Sequence, residues 1–187
     1  MILRTATVTS SVIAAALLAA CGSMSSMSPM MPMYSQANLP AAVQVPAGNK
    51  VAMETVGVGE ITYQCSPKKD MADQFEWVFV GPDAKLNDRN GRQIGKYYGP
   101  PATWENMDGS KLTATQVAVA PGAAGSIPTQ LVKANHAMGG GAMNGVTYIQ
   151  RVATQGGVAP SAPCAAGNAG AKQTVKYQAD YIFYKAM

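Results

Sequence analysis

Charge is scarce in this chain. Only 13% of its 187 residues are Asp, Glu, Lys or Arg, and Lys68-Lys69 is the only adjacent basic pair. A basic stripe interleaved with aromatics is absent, so the usual footprint of a nucleic-acid binder is missing. Histidine occurs once, at His136. That excludes a multi-histidine metal site and forces any Ser-His-Asp triad through this one residue. No Gly-x-Ser-x-Gly elbow accompanies it. A lone His beside a Gly-rich loop reads first as a surface or hydrogen-bonded residue. Helical periodicity is also missing beyond the first twenty or so residues. Gly and Pro are plentiful instead, at 19 and 12 residues, which points to a turn-rich β protein. Nothing in these residues calls for a cofactor.

The N-terminus reads as an address. Arg4 precedes an apolar run from Val12 to Ala20, too short for a stable bilayer span and suited to a signal h-region. The run ends in Leu18-Ala19-Ala20-Cys21-Gly22, similar to a bacterial lipobox. The resemblance implies cleavage of a signal peptide over residues 1–20 and acylation of Cys21, palmitate included. Gly22 after the cysteine implies the outer membrane by the sorting pattern of enteric lipoproteins. Residues 21–46, rich in Ser, Met and Pro, read as a flexible tether without a sustained period. Met24, Met27, Met30, Met31 and Met33 lie within it. Thioethers are soft ligands that suit Cu(I) in an oxidising compartment, so a periplasmic copper binder is one reading. A linker with incidental methionines is the simpler one.

Residues 47–187 form the expected β domain. Lys50–Cys65 alternates loosely, with Gly57 and Gly59 suggesting a bend or bulge. Ser66–Asp73 reads as a polar loop, and Gln74–Val80 as a strand stopped by Gly81-Pro82. Asn90-Gly91 signals a hairpin into Arg92–Tyr98. Short strands follow at Thr103–Glu105, Lys111–Ala120 and Val146–Thr154, while Ile127–Ala137 fits a strand or a short helix. The chain closes on Val175, Tyr177, Ala179, Tyr181 and Phe183, all on one face and expected in the core. About eight to ten short strands with turns between them imply an antiparallel sandwich or barrel. With Cys21 lipidated, Cys65 and Cys164 remain as an even pair, most simply a disulfide outside the cytoplasm.

Gly99–Ser110 concentrates unusual chemistry. Trp104 with Tyr97 and Tyr98 could form an aromatic platform for a sugar or another flat ligand, although a strand Trp more often packs in a core. Glu105 and Asp108 could act as acid and base of an extracytoplasmic hydrolase. The plainer expectation is that Gly99-Pro100 turns the chain, Trp104 is at least partly buried, and Asp108 shapes the Asp108-Gly109 turn.

Ordered motifs carry a family resemblance. They are Phe75-Glu76-Trp77, Gly81-Pro82-Asp83-Ala84-Lys85-Leu86, Gly99-Pro100 with Thr103-Trp104-Glu105, and Val146-Thr147-Tyr148-Ile149-Gln150-Arg151. Gly156-Gly157, Ala159-Pro160, Cys164 and Tyr177-Gln178-Ala179-Asp180-Tyr181 complete the set. Together they resemble the domain of unknown function 3455 family over roughly residues 45–186. The resemblance implies a compact exported domain of no established activity. Some relatives carry a malate dehydrogenase label, but this chain lacks a Gly-rich dinucleotide loop and a βαβ rhythm. The family pattern sets a His between Gly95 and Gly99, where this chain has Tyr97, so no activity resting on that imidazole is implied. The leading expectation is a non-enzymatic cell-envelope lipoprotein, held to the membrane by its lipid, that binds a small molecule or an envelope partner.

Overall fold

The computed structural model describes residues 34–187. Cys21 and the methionines at 24, 27, 30, 31 and 33 lie outside them. Eight strands make one closed antiparallel barrel in which each strand pairs with its sequence neighbours and the last with the first. They are β1 (Asn49–Lys68), β2 (Met71–Asn87), β3 (Gln93–Tyr98), β4 (Thr103–Asn106), β5 (Lys111–Ala120), β6 (Thr129–Ala134), β7 (Val146–Gly156) and β8 (Lys172–Ala186). The only helical pieces among the described residues are two 3₁₀ turns, Ala41–Val43 and Ala166–Asn168. No helix there is long and apolar enough to cross a membrane. The ambiguous Ile127–Ala137 stretch resolves as a strand.

Strand alternation sets what goes inside. Tyr177, Ala179, Tyr181 and Phe183 of β8 point inward, as expected, and join Leu86, Tyr97, Trp104, Leu112, Met143 and Ile149 in the interior core. Eight strands enclose a space that side chains can fill, and here aromatic rings fill much of it. Gly57 and Gly59 allow close approach rather than a bulge. A Cβ at Gly57 would stand 2.6 Å from the Tyr181 ring, and one at Gly59 would stand 2.1 Å from the Asp83 carbonyl oxygen. The β1 register shifts fall instead at Val51/Met53, against β8, and at Thr62/Tyr63 and Pro67/Lys68, against β2.

Two sequence expectations need correction. The first hairpin is longer than expected: β1 runs to Lys68, the turn occupies Lys69-Asp70, and β2 passes straight through Gly81-Pro82. Pro82 is tolerated because pairing with β3 begins only at Asp83. At Pro82 the strand therefore has β1 as its one neighbour, and the missing N–H costs no ladder bond on the open side. The end of this hairpin is covered by residues 157–171. Cys65 and Cys164 are bonded as expected, with Cα atoms 5.5 Å apart. Trp77 Nε1 donates to the Ala162 carbonyl at 2.8 Å, and the backbones of Cys65 and Gly170–Ala171 exchange two further bonds.

The second correction concerns the tether. Residues 34–46 lie against the outside of the barrel wall as a strap. Val43 and Val45 are buried with Ala120, Leu131, Val152, Ile182 and Tyr184, and Tyr34 and Leu39 pack beside them. This second core explains why β8 carries apolar residues on both faces. Its polar hub is Gln150, which is fully buried. Gln150 Nε2 donates to Gln36 Oε1 at 2.9 Å and to the Val43 carbonyl at 2.7 Å. Gln150 Oε1 accepts from Tyr34 at 3.1 Å and from Tyr184 at 2.8 Å. Composition alone reads these residues as linker, because the strap pairs through isolated side chains and shows no period.

Candidate functional site

The Gly99–Ser110 stretch is architectural. Gly99–Pro100 and Pro100–Pro101 are both cis peptides and turn the chain from β3 into β4. Trp104 is only 2% exposed and stacks on Tyr97, ring centroids 4.6 Å apart and 24° from parallel. Tyr181 completes the cluster, 5.0 Å from Tyr97 and 6.0 Å from Trp104. Both Tyr97 and Trp104 face the barrel interior, so they are not an aromatic platform open to solvent. Burial raises the pKa of Tyr97 and, strongly, that of Tyr181. The indole Nε1 of Trp104 finds no acceptor among the described residues.

Tyr98 and Glu105 sit on the opposite face of their strands. The Tyr98 hydroxyl donates to Glu105 Oε2 at 2.7 Å, and Lys96 Nζ lies 3.4 Å from Oε1 and 5.2 Å from the Tyr98 ring centroid. These donors hold the Glu105 carboxyl below its ordinary pKa, with the phenol contributing most. Asp108 has separate work. Its Oδ1 accepts from the Ser110 amide at 2.9 Å and the Ser110 hydroxyl at 2.6 Å, and its Oδ2 from the Ala142 amide at 2.7 Å. Its pKa is lowered, first by the Ser110 hydroxyl. Ser110 Oγ in turn accepts from the Met143 amide at 3.1 Å. The Asp108-Gly109-Ser110 turn therefore anchors residues 139–143, and the fully buried Met143 plugs that end of the barrel.

A cleft holding Trp104 beside both carboxylates would favour the hydrolase reading, and the three side chains do not share one. Glu105 lines a hollow of about 250 Å³ with Gln93, Lys96, Asn106 and Met107, and neither Trp104 nor Asp108 borders it. The cause is strand alternation: Trp104 and Glu105 are adjacent and so face opposite sides of the wall. Two low-pKa carboxylates also lack the raised pKa that a general acid at neutral pH needs.

A wider opening lies where β6 and β7 separate. Their pairing stops at Lys133 and Tyr148. Beyond that point the strands enclose a cleft of about 810 Å³ lined by Lys133, Asn135, His136, Asn144, Thr147 and Tyr148, among others. The lining offers a cation, an imidazole, amides and hydroxyls, with no carboxylate among them. His136 is exposed and belongs to this cleft rather than to any triad. Sequence reasoning missed the site because nothing in residues 133–148 marks where two paired strands part. The Gly139-Gly140-Gly141 run was its one available signal.

Among the described residues no group of three His, Cys, Asp or Glu side chains is placed to hold a metal ion. The family model for Protein of unknown function (DUF3455) matches residues 46–185. The chain belongs to this family. No curated protein and no solved structure matches the chain. The family match spans the barrel and its covering loops but leaves out the strap through Val45.

Proposed function

We propose that this family member is a lipid-anchored protein of the bacterial cell envelope, probing its surroundings with a non-enzymatic binding domain. The observation that carries the reading is the β6–β7 cleft, which offers hydrogen-bond donors and acceptors, one lysine and no carboxylate. Such a lining suits a small polar ligand or the polar side chains of an envelope partner. Side chains fill the centre of the barrel, which leaves binding to its walls and edges and supports the same reading. Acylation at Cys21 would leave residues 22–33 between lipid and strap, which holds the domain within about 45 Å of the membrane surface.

Two experiments test this. Mass spectrometry of the membrane fraction is expected to show an acylated N-terminal Cys21, with release of the Cys21→Ser protein from the membrane. An unmodified mature N-terminus elsewhere overturns the anchor. Titrating isotope-labelled protein with glucose and with glucuronate is expected to shift the amide signals of residues 133–148. Shifts confined to other residues overturn the assignment of the cleft.

A further inference from the structure

The two ends of the barrel differ. Met143 plugs one; at the other Ile61, Tyr63, Ile127 and Tyr177 are buried in the interior core, while Val119 near the end of β5 stands exposed. Cross-strand pairing places Tyr181, Arg151, Gln130 and Val119 in one row across β8, β7, β6 and β5. Directly paired residues share a face, and Tyr181 belongs to the interior core, so the whole row faces inward. Along it the exposure rises from 1% at Tyr181 to 47% at Val119. An arginine therefore stands on the inner wall where the interior meets water.

Arg151 is incompletely used there. Its Nε and Nη2 both donate to one acceptor, the Pro128 carbonyl, at 3.2 and 3.0 Å. Nη1 and a second Nη2 hydrogen are left over from the guanidinium's five donors. Among the described residues no carboxylate lies within ion-pair distance of it. The contrast is Arg89, which is clamped between Glu54 and Asp180 at 2.8 and 2.7 Å. Burial raises the pKa of the Tyr63, Tyr97, Tyr177 and Tyr181 phenols, and the nearby charge of Arg151 offsets only part of that rise. Beside it, Gln130 Nε2 donates to Gln116 Oε1 at 2.7 Å. Val117 and Val119, 53% and 47% exposed, form an apolar rim. A partly exposed guanidinium with free donors and no carboxylate beside it is available to an incoming anion.

We propose that the β5–β7 side of this end of the barrel is a binding site for a small amphiphilic organic anion, with its acidic head on Arg151 and its apolar body along Val117 and Val119. The head is a carboxylate or a phosphomonoester, both of which match the planar fork of a guanidinium. Gln130 orients the head through its amide. The site is separate from the β6–β7 cleft and stands or falls independently of it.

Calorimetric titration of the full chain with hexanoate, hexyl phosphate and hexanol tests the proposal. At least one of the two anions is expected to bind saturably, more weakly as salt is raised, with hexanol silent; the tighter anion names the head group. Arg151→Gln is expected to weaken that binding at least about tenfold, the loss of a charge-assisted pair, and Arg151→Lys to restore part of it. No binding by either anion, equal binding of hexanol, or an unchanged affinity in Arg151→Gln overturns the proposal. Should Arg151→Gln fail to fold, the wild-type chain still decides. The bound anion is expected to protect Arg151 from phenylglyoxal, read by peptide mass spectrometry, and equal labelling with and without it overturns the site.

Discussion

Inside the barrel and beneath the strap the protein builds two apolar cores, and among the described residues only the first leaves a buried polar side-chain atom unpaired. The interior gathers Tyr97, Trp104, Tyr177 and Tyr181 and leaves the indole Nε1 of Trp104 without an acceptor. The outer core under residues 34–46 is smaller, yet its one buried amide, Gln150, has four hydrogen bonds that use both donors and both acceptor positions. The interior is held by shape and area. The strap is short and aperiodic, with no ladder to the barrel wall, and is fixed in register chiefly by the directional bonds of Gln150, with Glu54 accepting from the Tyr34 amide. A core that the fold already encloses can tolerate an orphaned donor, whereas a segment laid on from outside needs specific bonds to choose its position.

The most damaging change should be to the interior. Trp104→Ala removes a fully enclosed indole and the stack on Tyr97, and is expected to cost about 3–5 kcal/mol. Urea unfolding of the variant and the parent measures it. Near-parental stability would mean that the indole does not anchor the interior, and the contrast between the cores would fail.

Gln150→Leu is expected to cost roughly 2–4 kcal/mol, because the Tyr184 hydroxyl and the Val43 carbonyl are left buried without partners. Limited proteolysis should then cut first within residues 34–46, ahead of the barrel. Trp104→Phe makes the same kind of exchange inside, a polar atom for an apolar ring, and is expected to change stability by less than about 1 kcal/mol. The lost ring volume is offset by removal of an unpaired donor. Equal costs for the two substitutions would show that hydrogen bonding does not distinguish the cores.

The legibility of the two regions in the sequence follows the same division. The interior could be read from β8 alone, since Tyr177, Ala179, Tyr181 and Phe183 alternate without a break. Cysteine parity pointed to the Cys65–Cys164 bond. The strap could not be read, because its evidence lies in residues far away. Ile182 and Tyr184 are apolar on what ought to be the wet face of β8, and so is Val152 on that of β7. Those were signs that something covers the wall, without saying what. Trp104, Glu105 and Asp108 lie together in sequence, which left an acid–base pair open as a reading, but the pleat and the turn send them to three different surroundings, with the indole buried and Asp108 shaping its turn as the plainer expectation had it. His136 and Arg151 were legible as residues but not as sites, because only strand register places one at a parting of strands and the other on the inner wall.

The smallest expected effect concerns the plugged end of the barrel. Asp108 is exposed yet holds the Ser110 and Ala142 amides and the Ser110 hydroxyl, and its folded pKa is depressed for that reason. A depressed carboxyl pKa contributes stability that is present above the unfolded value, near 3.8, and is lost as pH falls through the folded value. The window therefore lies below about pH 4, and at neutral pH the bonds are intact. On acidification into that window the amides of Ala142 and Met143 should lose hydrogen-exchange protection before the β8 amides do, because the turn that pins the Met143 plug has lost its acceptor. Asp108→Asn should lower protection of the same two amides already at pH 7 and flatten their response to acid, while leaving the amides of Val43 and Val45 under the strap unchanged. Simultaneous loss at the plug and the strap would indicate global acid unfolding instead, and Asp108 would then have no separable role at that end.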